Sequence, residues 1–133
     1  MRRDERGFTL LELWIIIAII GILAVIAITQ FSGYRTRAFD ATVMADLRNA
    51  MTAQEAYFVD WSTYAKDKTA LISGSYNLYE SEGVVLIIDV GATDDVSYRM
   101  IASHENSTNV YVIDGPGGSV ELNNAHGFLS HGL

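Results

Sequence analysis

Two side chains near the amino terminus carry most of the chemistry that this sequence offers. Glu12 is a lone carboxylate at the entrance to a long apolar run, and Phe8 lies one helical turn before it, directly after Gly7. An acidic group within an apolar span costs about 2.5–3.5 kcal/mol at mid-bilayer and less near the edge, so it calls for a partner. From Leu13 to Ile28 there is no basic residue to serve as one. Two readings account for Glu12. Thr9 and Glu12 have the spacing of a capping box, and a carboxylate in the first turn favours the helix dipole. Alternatively, a cut after Gly7 would give Phe8 a free α-ammonium, the missing cation. At 4 Å and an effective dielectric of 20, that ammonium and a carboxylate attract by about 4 kcal/mol before desolvation is subtracted.

The element that must position these groups is the apolar run. Between Phe8 and Ile28 the only polar residues are Thr9 and Glu12. As a helix these 21 residues span roughly 30 Å, the thickness of a bilayer's hydrocarbon core. A cleaved secretory signal has a shorter core and a small-residue cut site, which Ala27-Ile28-Thr29-Gln30 does not supply. A domain this small could hardly enclose a helix that is apolar on every side, so the segment reads as a membrane helix. Three arginines precede it (Arg2, Arg3, Arg6) and three follow within about 20 residues (Arg35, Arg37, Arg48), which leaves its orientation open on charge alone. Within the span Ala18, Gly21, Ala24 and Ala27 recur every third residue. Small side chains at that spacing let helices approach closely, although alanine in an apolar span also occurs without such a purpose.

Gly7-Phe8-Thr9-Leu10-Leu11-Glu12-Leu13, followed by Ile-Ile-Ala-Ile-Ile-Gly-Ile-Leu-Ala-Val-Ile-Ala-Ile, resembles the prepilin signature of type IV pilins and type II secretion pseudopilins. The resemblance covers residues 1–31. It implies that a prepilin peptidase cuts between Gly7 and Phe8 and methylates the new amine of Phe8. It implies further that Glu12 guides assembly by pairing with the Phe8 amine of a neighbour. The leader would lie in the cytoplasm and the C-terminal domain outside it. The implied partners are further copies in a homopolymeric filament, the peptidase, an inner-membrane assembly platform and, before assembly, membrane lipid. The chain departs from the family at Thr29, where a proline is usual, at the bulky Trp14, and in having no cysteine for a C-terminal disulfide loop.

Domain organisation follows as a leader (1–7), a transmembrane and assembly helix (8–28) and a head (29–133). The expected class is α+β, with one long helix, half membrane-spanning and half amphipathic, packed on a small antiparallel sheet. Phe39, Val43, Leu47, Ala50, Gln54 and Phe58 step by three or four along the amphipathic half, with Arg37, Asp40, Asp46, Arg48 and Glu55 off that stripe. Strands are expected at 84–90, 96–104 and 109–114, with a short one at 119–122. Residues 61–83 read as an irregular connector anchored by Tyr64, Leu71, Tyr76 and Leu78. A head this small has a thin core, so the sheet must pack on the helix.

Composition excludes several function classes. The net charge of −7 argues against a nucleic-acid-coating protein, and without cysteine there is no disulfide, thiolate metal site or thiol nucleophile. His104, His126 and His131 lack metal-ligand spacing, and Asp89, Asp94, Asp95 and Asp114 read as solvated turns rather than a calcium loop. Gly115-Pro116-Gly117-Gly118 reads as a turn, and Asn106-Ser107-Thr108 fits a glycosylation sequon. Tyr34, Phe39, Tyr57, Phe58 and Trp61 read as core packing rather than a charge-hopping stripe. Neither a catalytic group nor a cofactor is expected. The first reading is a type IV pilus-like filament subunit. The alternatives are the major pseudopilin of a secretion system, whose head would be stabilised by calcium, and a single-pass anchored binding domain that keeps its leader.

Overall fold

The computed structural model describes residues 7–123. In chain order the elements are α1 (Leu10–Trp61), α2 (Lys68–Ser73), β1 (Val84–Ile88), β2 (Tyr98–His104), β3 (Val110–Gly115) and β4 (Glu121–Leu122). The chain forms two compact units, one up to Arg35 and one from Thr36 onward, and α1 contributes to both. The helix runs unbroken through Thr29, Ser32 and Gly33. The Thr29 hydroxyl donates to the Ile26 carbonyl at 2.9 Å, a bond that a proline at this position could not make.

In the first unit every described residue is exposed. The second unit is α+β. After Gly33 the helix contains neither glycine nor proline, and alanine, leucine, methionine, glutamine and glutamate supply strong helix formers. It ends where Ser62 takes a left-handed conformation (φ 54°) and its N–H donates to the Phe58 carbonyl at 2.8 Å. Val43, Leu47, Ala50 and Ala53 turn inward and meet Leu86 and Ile88 of β1, Tyr98, Met100 and Ala102 of β2, and Ile113 of β3. The sheet is an antiparallel meander in the order β1-β2-β3-β4, with Ile87 opposite Ile101, Ile101 opposite Val112 and Val112 opposite Glu121.

Several expectations need correction. The first and second strands are shorter than their apolar runs. Val96 lies outside β2 and is 71% exposed, because Asp94 draws the Val96 and Ser97 N–H groups into a side-chain-capped turn at 2.9 and 2.7 Å. The fourth strand has only two residues. The connector contains α2, capped by Asp67, whose carboxylate accepts from the Thr69 N–H at 2.9 Å. Tyr64, Leu71 and Leu78 are buried and Tyr76 is half-buried.

Asp40 and Asp46, placed off the apolar stripe, are buried. Asp46 accepts from the Ser81 N–H at 2.7 Å and its hydroxyl at 2.9 Å, which fastens the connector to α1. Asp40 accepts from the Ser107 hydroxyl at 2.6 Å and the Asn109 amide at 2.7 Å, which fastens the β2–β3 turn.

β3 ends at Gly115, and any side chain there would overlap the ring of Tyr98. Tyr98 cannot yield easily. It is fully buried, its edge packs on Tyr64 with centroids 4.7 Å apart, and its hydroxyl points to Glu55. Gly115→Ala is therefore expected to destabilise the head by about 1–3 kcal/mol, read from the midpoint of denaturant unfolding. An unchanged midpoint would mean that the ring has room to move.

Candidate functional site

Thr9 takes the N-cap position of α1. Its carbonyl accepts from the Leu13 N–H at 3.2 Å, and its hydroxyl oxygen accepts from the Glu12 N–H at 3.2 Å. Glu12 thereby falls in the third helical position, with its carboxylate in the first turn where the helix dipole is positive. Phe8 is the residue before the cap, non-helical and 79% exposed, and Gly7 before it is exposed too. A peptide bond at Gly7–Phe8 thus sits on accessible, non-helical chain just outside the helix. The cap puts the Phe8 nitrogen and the Glu12 side chain at the same end of α1.

From Leu13 to Ile28 the helix surface is apolar all round. Ile15, Ile17, Ile19, Ile20, Ile22 and Leu23 each leave more than half of their surface open. Covering such a side chain fully is worth about 1.5–3 kcal/mol, so a helix of this kind is stable only inside lipid or among other apolar helices. Ala18, Gly21, Ala24 and Ala27 lie on α1 and are exposed, and nothing stands within 4 Å of where a Gly21 side chain would begin. At three-residue steps they form a ridge inclined at about 45° to the helix axis rather than a straight stripe. A neighbouring helix could cross closely along that ridge.

A match to the prokaryotic N-terminal methylation motif covers residues 2–28. The major component of the type IV wide pilus of Thermus thermophilus is 40% identical over 106 residues, covering 80% of this chain and 79% of that protein. The chain belongs to the type IV pilin family. A type IV major pilin of Myxococcus xanthus is 43% identical over 61 residues, which are 46% of this chain and 28% of that pilin. A type IV major fimbrial protein of Dichelobacter nodosus is 45% identical over 60 residues, 45% of this chain and 38% of its own length. With these last two the pilin shares well under two thirds of the relative's length.

In the head, the acidic residues weighed as calcium ligands are occupied with local structure. Asp94 accepts from Val96, from Ser97 N–H and from the Ser97 hydroxyl, and these bonds hold its carboxyl below the usual carboxylate range. Asp114 pairs through both oxygens with Arg99 at 2.6 and 2.9 Å, which lowers its pKa in the same way. Asp89 accepts from the Gly91 N–H, and Asp95 from the Thr63 hydroxyl. His104 stacks on Phe39 with centroids 4.1 Å apart, and its Nδ1 accepts from the Asn106 N–H at 3.0 Å. His126 and His131 lie outside the described residues. Among the described residues no three acidic or histidine side chains group as metal ligands would.

The aromatics divide. Phe58 stacks on Tyr64 at 4.7 Å beside the core, whereas Trp61 and Tyr34 remain largely exposed, which corrects their reading as core. Burial pushes the Tyr98 hydroxyl far above its ordinary pKa, and the Glu55 carboxylate adds to the shift.

Proposed function

We propose that this chain is the precursor of a type IV pilus filament subunit, processed at Gly7–Phe8 and polymerised through the apolar half of α1. The supporting observation is a helix that is apolar on every face from Leu13 to Ile28 and exposed along that stretch, with a single carboxylate in its first turn. Lipid covers that surface before assembly, and copies of the same helix cover it afterwards. A prepilin peptidase removes residues 1–7 and methylates the Phe8 amine. The cut discards three arginines and two acids and so makes the chain one unit more negative.

The new Phe8 ammonium then meets Glu12 of a neighbouring copy. In apolar surroundings neither charge can remain unpaired, so the pair fixes the axial register between copies. The ridge at Ala18, Gly21, Ala24 and Ala27 admits the close crossing that this register requires. The leader faces the cytoplasm and the head faces outward, first in the membrane, where an assembly platform collects the subunits, and then on the surface filament. Names of the relatives as major pilins and fimbrial proteins support a pilus rather than a secretion pseudopilus.

Intact-mass measurement of the chain from its native membrane tests the processing. The expected mass is that of the chain from Phe8 onward plus one methyl group. A mass that still contains residues 1–7 would instead favour an anchored domain that does not polymerise.

A further inference from the structure

The turn between β2 and β3 carries the sequence Asn106-Ser107-Thr108, and Asn106 is the only asparagine in the chain followed two places later by serine or threonine. An asparagine in that setting can accept a sugar where a transferase reaches both its side-chain amide and the hydroxyl two places on, which calls for a surface loop. Both conditions can be read from the hydrogen bonds of this turn.

The bonds that hold the turn leave those two side chains out. The Glu105 N–H donates to the Gly83 carbonyl and the Ser107 N–H to the His104 carbonyl, both at 2.9 Å. Asn106 is anchored through its backbone, its N–H donating to His104 Nδ1 at 3.0 Å. Ser107 faces inward: its hydroxyl donates to Asp40 at 2.6 Å and accepts from the Asn109 N–H at 3.2 Å. The Asn109 side-chain amide donates to the other Asp40 oxygen at 2.7 Å. Asn106 and Thr108, on either side of Ser107, are exposed. The Asn106 amide reaches only the neighbouring Glu105 carboxylate, at 3.5 Å and so beyond the usual bonding range. The Thr108 hydroxyl bonds no other described residue. Asparagine and threonine in turns commonly bond back onto their own backbone, and these two do not.

We propose that Asn106 is an N-glycosylation site, with Thr108 as the hydroxyl by which the transferase recognises it. The Asn106 amide nitrogen bonds to the anomeric carbon of a sugar carried on a membrane lipid through a diphosphate. The bond from that carbon to the diphosphate oxygen breaks, and the lipid diphosphate leaves with the electron pair. One amide proton passes to a base of the transferase, and nothing is oxidised or reduced. Because neither side chain holds the turn, the folded head can take the sugar without rearranging. The inference rests on the filament reading only in placing the head outside the cytoplasm.

The test is peptide mass spectrometry of the chain purified from the cells that make it, with electron-transfer fragmentation to locate any added mass. Sugar is expected on Asn106. Asn106→Gln and Thr108→Ala abolish it, whereas Thr108→Ser keeps the hydroxyl and the sugar. All of these variants keep the near-ultraviolet circular dichroism of the parent, so loss of sugar is not loss of fold. Asn106 without sugar in the parent chain overturns the proposal. So does sugar that survives in Asn106→Gln, because a hydroxyl then carries it. The same digest reads the amino-terminal peptide separately. A chain that begins at methylated Phe8 and bears no sugar defeats this inference alone, and one that keeps residues 1–7 yet bears sugar on Asn106 defeats the filament reading alone.

Discussion

Glu12→Leu is expected to insert into the membrane at least as well as the parent chain yet to lower filament yield by about two to four orders of magnitude. The two effects have opposite signs because they draw on different surroundings. In lipid a carboxylate in the first turn is a penalty and leucine is favourable, so the substitution relieves insertion. In the filament proposed above the same carboxylate would neutralise the Phe8 ammonium of a neighbour. Removing one member of a buried pair leaves the other charge uncompensated, at about 3–5 kcal/mol. Applied to each subunit added, that loss corresponds to a factor of about 10²–10⁴ in the elongation equilibrium. Glu12→Gln retains hydrogen bonding without charge and should fall between the two. Membrane fractionation reads insertion, and sheared-filament yield reads assembly. Normal filament yield from Glu12→Leu would remove the pairing role, whatever the state of the leader.

The long helix and its junction were legible in the sequence because both depend on local pattern. An unbroken apolar run allows little other than a helix in lipid, and the spacing of Thr9 and Glu12 is itself the cap. The inward stripe at Val43, Leu47, Ala50 and Gln54 was visible for the same reason, since helical periodicity records which face is covered. Asp40 and Asp46 escaped that logic. Charged residues near an apolar stripe read as solvent-facing, and their burial depends on loops more than thirty residues away that bring Ser81, Ser107 and Asn109 to them. A local signal existed, since Asp40 lies three residues before Val43 and Asp46 three after it. Long-range pairing was needed to give it meaning.

Strand ends were less legible for a related reason. Val96 and Val90 extend the apolar runs, but Asp94 and Asp89 divert the chain into capped turns before pairing can continue. Hydrophobic character marks where a strand can form, whereas hydrogen-bond competition from short polar side chains marks where it stops. The bonds from the paired Lys68 and Glu80 side chains to the Leu86 backbone were invisible for the same reason as the aspartates. They join the start of α2, the stretch that follows it and β1, whose meeting no periodicity encodes.

Gln54→Leu should be the most damaging single change to the head among those that preserve volume, by about 2–6 kcal/mol. The stripe places Gln54 among apolar residues, and the structure shows why a polar group is kept there. Its side-chain amide donates to the Ala65 carbonyl at 2.9 Å, and its side-chain carbonyl accepts from the Ala65 N–H at 2.8 Å. Both residues are buried, Gln54 completely. One glutamine therefore satisfies both backbone groups of a residue that lies outside any helix or strand. Leucine would fill the space but leave the Ala65 donor and acceptor without partners, each at about 1–3 kcal/mol. Gln54→Glu tests the same point separately. A carboxylate still accepts from the Ala65 N–H but cannot donate to its carbonyl, and it adds a buried charge, so this variant should also be strongly destabilised. Thr52→Ala, at an exposed position on the same helix, should change stability by less than about 0.5 kcal/mol. Denaturant unfolding of the full chain in micelles, followed by near-ultraviolet circular dichroism of the buried tyrosines, would measure all three. If Gln54→Leu proved as stable as its parent, Ala65 would have to find other partners, and the anchoring of the connector to α1 would rest on Asp46 and Asn49 instead.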